Sequence, residues 1–134
     1  MNFFLLFAFL LTLAAFFIHT FLGDKEISLL KPLDLGKQEA KMLEIWTMTR
    51  SGWHWISLDL LFASLGLGLI LFTDILPSEE LLLKILSFYF GAYGIIWIFI
   101  LLISPSFSGK FMKLGQWLLL IMISLLIFGG IQFL

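Results

Sequence analysis

The chain has 134 residues, 61% hydrophobic and 13% charged, with a formal net charge of −1 and no cysteine. Soluble domains hold nearer ~45–50% apolar and ~25% charged residues, so a water-soluble globular fold is excluded and a membrane-embedded one implied. Without cysteine there can be no disulfide framework, thiolate nucleophile or Cys-ligated metal, and scattered basic residues at near-neutral charge give no footprint for nucleic acid.

Apolar runs at 3–22, 53–72, 85–103 and 114–133 each hold about 20 residues. At ~1.5 Å per residue each can span the ~30 Å hydrocarbon core. Lipid offers the backbone no hydrogen-bond partner, so every run is predicted to be a helix. The expected fold is all-α: one domain over 1–134, an integral membrane four-helix bundle with an amphipathic interfacial helix in the first loop. The first run is read as a transmembrane helix rather than a signal peptide. Met1-Asn2 supplies no basic segment, and the run is about twice the length of a typical signal-peptide core.

In the first run Ala8, Thr12, Ala15 and His19 share one helical stripe, which turns His19 toward protein. Loop 23–52 follows. From Leu35 to Thr49 no proline interrupts, and Met42, Ile45, Trp46 and Thr49 oppose Lys37, Lys41 and Glu44. That pattern predicts a helix lying at the membrane interface, bent at Ser51-Gly52 into the second span. In the second run Arg50, His54, Ser57, Leu61, Ser64 and Gly68 form one stripe, so His54 also points inward. Asp59 lies on another stripe with Gly52, Ala63 and Gly66, ~140° around the helix from His54.

The third run carries Ser87, Gly91, Gly94 and Ile98 on one stripe and Tyr89, Tyr93 and Trp97 on another. The fourth holds Gln116 near its start and Gly129-Gly130 near its end. Small residues mark close helix crossings. Gly91, Gly94 and Gly129-Gly130 also offer surfaces for a second copy, so the expected partners are the lipid bilayer, a homo-oligomer and a further membrane protein.

Loops one and three hold Lys25, Lys31, Lys37, Lys41, Arg50, Lys110 and Lys113, leaving Lys84 as the eighth basic residue. The positive-inside rule makes both loops cytoplasmic and places both termini outside, in the cell inner (plasma) membrane. Trp46, Trp53, Trp55 and Trp117 lie where the cytoplasmic aromatic belt is expected.

The candidate site is His19, His54, Asp59 and Glu26. Asp59 sits about six residues inside Trp53, ~9 Å along the axis, so it must be protonated, paired or hydrated. The residue types suit more than one chemistry. Both histidines with a carboxylate chosen from Asp59, Glu26 and Asp24 could hold a divalent metal such as zinc, iron or manganese. The two histidines could ligate a haem, for which Arg50 is the basic residue deep enough to meet a propionate. A structural reading pairs His19 with Asp59 to fix helix register and leaves His54 in the aromatic belt.

The order His19-x3-Gly23-x2-Glu26, then Pro32-Leu33, then Trp53-His54 opening the second span, resembles a group of small uncharacterised bacterial four-span membrane proteins. The resemblance covers the first ~60 residues, and implies membrane topology and a shared importance of His19, Glu26 and His54, but no reaction. The favoured function is an accessory or binding protein with a His/Asp metal or proton site near the cytoplasmic face. The alternatives are a small oligomeric proton-linked transporter and a metal-dependent membrane enzyme or bis-His haem protein. No Ser-His-Asp order or phosphate-cradling glycine loop is present, so no catalytic set is named.

Overall fold

The computed structural model describes residues 2–32 and 39–134, and among these there is no strand. Helix α1 (Phe3–Phe17) runs through a π-helical turn (Ile18–Gly23) directly into α2 (Asp24–Leu29). Then follow α3 (Glu39–Phe72), α4 (Glu79–Ile103), α5 (Lys110–Lys113) and α6 (Gln116–Ile131).

Local chemistry explains several of the boundaries. The Asn2 side chain accepts the Leu5 N–H at 3.3 Å, capping α1. Glu79 and Glu80 occupy the first turn of α4, where negative charge meets the positive end of the helix dipole. Gly109 enters α5 at φ 73°, a left-handed conformation that glycine adopts without cost from a Cβ.

Three helical stretches, Phe3–Leu29, Ala40–Phe72 and Glu79–Ile103, are long and apolar enough to cross a membrane. The fourth expected span differs. Its helix, α6, has 16 residues and is ~24 Å long, less than the full core. The short α5 ends at Lys113, and Leu114-Gly115 turn before α6 begins, so part of that apolar run is not helix.

The first loop also departs from expectation. Helix α3 has 34 residues, ~51 Å, well beyond the hydrocarbon thickness. The described part of the expected interfacial helix is the first turns of α3, which continues through Ser51-Gly52 without interruption. One helical glycine costs only ~1 kcal/mol against alanine. Residues 35–38 of that expectation lie outside the described residues.

The chain divides into two compact units, 1–11 with 66–134, and 12–65. In the first, α4 and α6 run antiparallel. Ser87 Oγ donates to the Ser124 carbonyl at 3.0 Å, Ser124 Oγ returns the bond at 2.6 Å, and Trp97 Nε1 donates to the Leu114 carbonyl at 3.1 Å. A Cβ on Gly94 would lie 2.7 Å from Ile121 Cγ1 and 3.2 Å from the Trp117 carbonyl oxygen. Gly91 faces Ser124, Gly129 faces Phe4 and Gly130 faces Leu5. The glycines expected to meet a second copy therefore face segments of their own chain.

In the second unit the end of α1, the π turn and α2 lie antiparallel to the first part of α3. Its buried residues include Thr12, Ala15, Gly23, Ile27, Ser57, Leu60, Ala63 and Ser64. In both units large apolar side chains are exposed, among them Phe62 in this one and Phe3, Phe88 and Phe99 in the other. Phe90 is buried at 1% exposure, but small residues on the contact faces with many phenylalanines outside fit helices packed in lipid, where contact depends on close backbone approach.

Candidate functional site

The polar side chains of the 12–65 unit gather where the π turn meets α3. In a regular α-helix, residues five apart lie ~140° from each other. A π turn takes more residues per turn because its bonds close from i to i+5, so His19 and Asp24 can both address the neighbouring helix. Gly23 makes the approach close: an added Cβ would lie 2.8 Å from Trp53 Cε2 and 3.0 Å from its Nε1.

Asp24 is the centre of the cluster. Its carboxylate accepts Arg50 Nε on one oxygen and Arg50 Nη2 on the other, both at 2.7 Å, a bidentate pair. His54 Nε2 lies 3.0 Å from the Asp24 oxygen that also receives Nε. Arg50 and His54 are four residues apart on α3, which puts them on one helical face. The Asp24 side chain is 23% exposed, Arg50 38% and His54 42%, so the cluster sits at a boundary rather than in a sealed core.

One layer away, His19 stacks on Trp53 with ring centroids 3.9 Å apart and planes 6° from parallel. Trp53 Nε1 donates to the His19 carbonyl at 2.8 Å, and His19 Nδ1 meets Ser57 Oγ at 3.0 Å. The Ser57 hydroxyl also lies 3.4 Å from the Trp53 carbonyl, to which it donates. Trp46 Nε1 donates at 3.0 Å to the Ile27 carbonyl, which also accepts the Leu30 N–H. The Arg50 guanidinium stands over the Trp46 ring at 5.4 Å.

The four candidate residues are not assembled as one ligand set. His54 belongs to the Asp24 pair, and His19 to the Ser57 and Trp53 contacts. Glu26 is exposed on α2, and Asp59 is half-buried on α3. Among the described residues no three His, Asp or Glu side chains lie together in a way that could hold a metal ion. For haem, His54 Nε2 is directed at Asp24, and the basic side chain considered for a propionate, Arg50, is committed to the same carboxylate.

Sequence reasoning weighed Asp24 only as one of several carboxylates and did not pair it with His54. The missing step was the π turn, which changes the phase of the helix after His19 and has no compositional mark. The signals that could have found the pair are the i, i+4 placement of Arg50 and His54 and the carboxylate directly after Gly23. Comparison with protein-family models, with curated proteins and with solved structures finds no match.

Proposed function

We propose that this chain is a multi-pass inner-membrane accessory or binding protein whose Asp24–Arg50–His54 cluster is a proton-binding site at the cytoplasmic boundary. The observation that carries the reading is the shared carboxylate: Asp24 accepts Arg50 at 2.7 Å and lies 3.0 Å from His54 Nε2. Arginine keeps its charge at any physiological pH, whereas imidazole gains or loses a proton there. Of the three groups, His54 is the imidazole, and its Nε2 faces the Asp24 carboxylate. Orientation follows from the Lys and Arg content of the loops, which puts the cluster and the tryptophans around it inside and both termini outside.

The test is potentiometric titration of the full chain in lipid nanodiscs between pH 5 and 8. Both His54→Gln and Asp24→Asn are expected to change the uptake curve. Superimposable curves for wild type and both variants would overturn the proposal. Metal analysis of the same preparations separates the metal reading, which requires stoichiometric metal in wild type and its loss in both His19→Ala and His54→Ala.

A further inference from the structure

The cluster has an outward side. Trp46 is held in place by its bond to the Ile27 carbonyl, and two cations converge on its ring: Lys31 Nζ at 5.9 Å and the Arg50 guanidinium at 5.4 Å. Asp24 engages Arg50 through Nε and Nη2, which leaves the Nη1 edge of the guanidinium for another acceptor. Lys31 is exposed. With Asp24 counted, the Lys31–Arg50–Asp24 group carries a net positive charge. Immediately before Lys31, Leu29 and Leu30 are 78% and 74% exposed at the end of α2. Fixed cations beside bare leucines match a ligand that is anionic at one end and apolar at the other. Free phosphate would use only the first half of that surface.

We propose that Lys31 and Arg50, gathered on the Trp46 indole, bind the phosphate of an anionic membrane phospholipid whose acyl chains lie against Leu29 and Leu30. The inference rests on placing this cluster at a membrane boundary but not on the proton chemistry of His54. The N–H groups of Arg50 not used by Asp24 can donate to a phosphate diester, and the ammonium adds a point charge. One basic residue near an anionic lipid surface contributes about fivefold in affinity.

Native mass spectrometry of the full chain in detergent, titrated with dioleoylphosphatidylglycerol or dioleoylphosphatidylcholine, tests this. Wild type should prefer the glycerol lipid by about fivefold or more. Lys31→Gln should remove most of that preference, Lys31→Arg should retain it, and Lys84→Gln, a basic residue on α4, should leave it intact. Circular dichroism checks that each variant is folded. Equal binding of the two lipids by wild type, or a preference unchanged in Lys31→Gln, would overturn the inference. Displacement of the lipid by equimolar inorganic phosphate would overturn it too, by making free phosphate the ligand. Proton uptake by Lys31→Gln should equal that of wild type. Loss of the lipid preference with uptake intact in wild type thus counts against this inference alone, and the reverse result against the proton site alone.

Discussion

Gly23 and Gly52 show how one residue type carries opposite consequences. Gly23 lies against the Trp53 indole, whereas a Cβ on Gly52 would meet nothing within 4 Å. Gly23→Ala must push Trp53 from its stack with His19 and its bond to the His19 carbonyl, an overpacking cost of ~1–3 kcal/mol. Gly52→Ala instead fills open space in a helix interior and restricts the unfolded chain, a gain of ~0.4–1 kcal/mol. Thermal unfolding in detergent, followed by circular dichroism, should show the first variant melting below wild type and the second slightly above. The order reversed would mean that Trp53 does not lie against Gly23.

At the scale of elements, the α4–α6 pair depends on close backbone approach. Gly94 faces both Ile121 and the Trp117 carbonyl oxygen, a main-chain atom that cannot swing aside. The reciprocal Ser87–Ser124 bonds lock the register beside it. Gly94→Leu should therefore lower the melting temperature of the chain itself, with α6 the first segment to lose protection in hydrogen exchange. Ser87→Ala should cost ~0.6 kcal/mol, the average for an interhelical hydrogen bond in a membrane. If Gly94→Leu changed only the oligomeric state and left melting unaltered, Gly94 would face a second copy rather than α6.

Over the whole molecule, the three helical stretches long enough to span and the shorter α6 raise the question of how the chain threads the bilayer. Antiparallel packing on α4 carries α6 back along the third span, and this supports a fourth pass despite its length. On the proposed orientation, which puts both termini outside, single cysteines at Lys37 and Ser108 should resist an impermeant thiol reagent in intact cells, and one at Ser78 should react. The native chain offers no background, since it has no cysteine. Labelling of the first two with protection of the third would invert the topology, and labelling of a cysteine at Phe133 only from the cytoplasmic side would show that α6 does not cross. The glycines at 91, 94, 129 and 130 face segments of their own chain, so the homo-oligomer expected on their account would have to use another face.

Sequence alone pointed to helices long and apolar enough to cross a membrane, because a 61% apolar composition and long uninterrupted apolar runs exceed what a water-soluble domain of this size buries. It also gave the helical phase of His19 within α1 and of Arg50 and His54 within α3, since a regular helix repeats every 3.6 residues whatever its neighbours. Tertiary structure decided what those residues touch. Asp24 reaches His54 because a π turn rotates the chain after His19, and α3 stays helical through Gly52 where composition suggested a hinge. The stripe of small residues announced a close crossing but not the partner, because periodicity records which face is buried and contains nothing about which helix covers it.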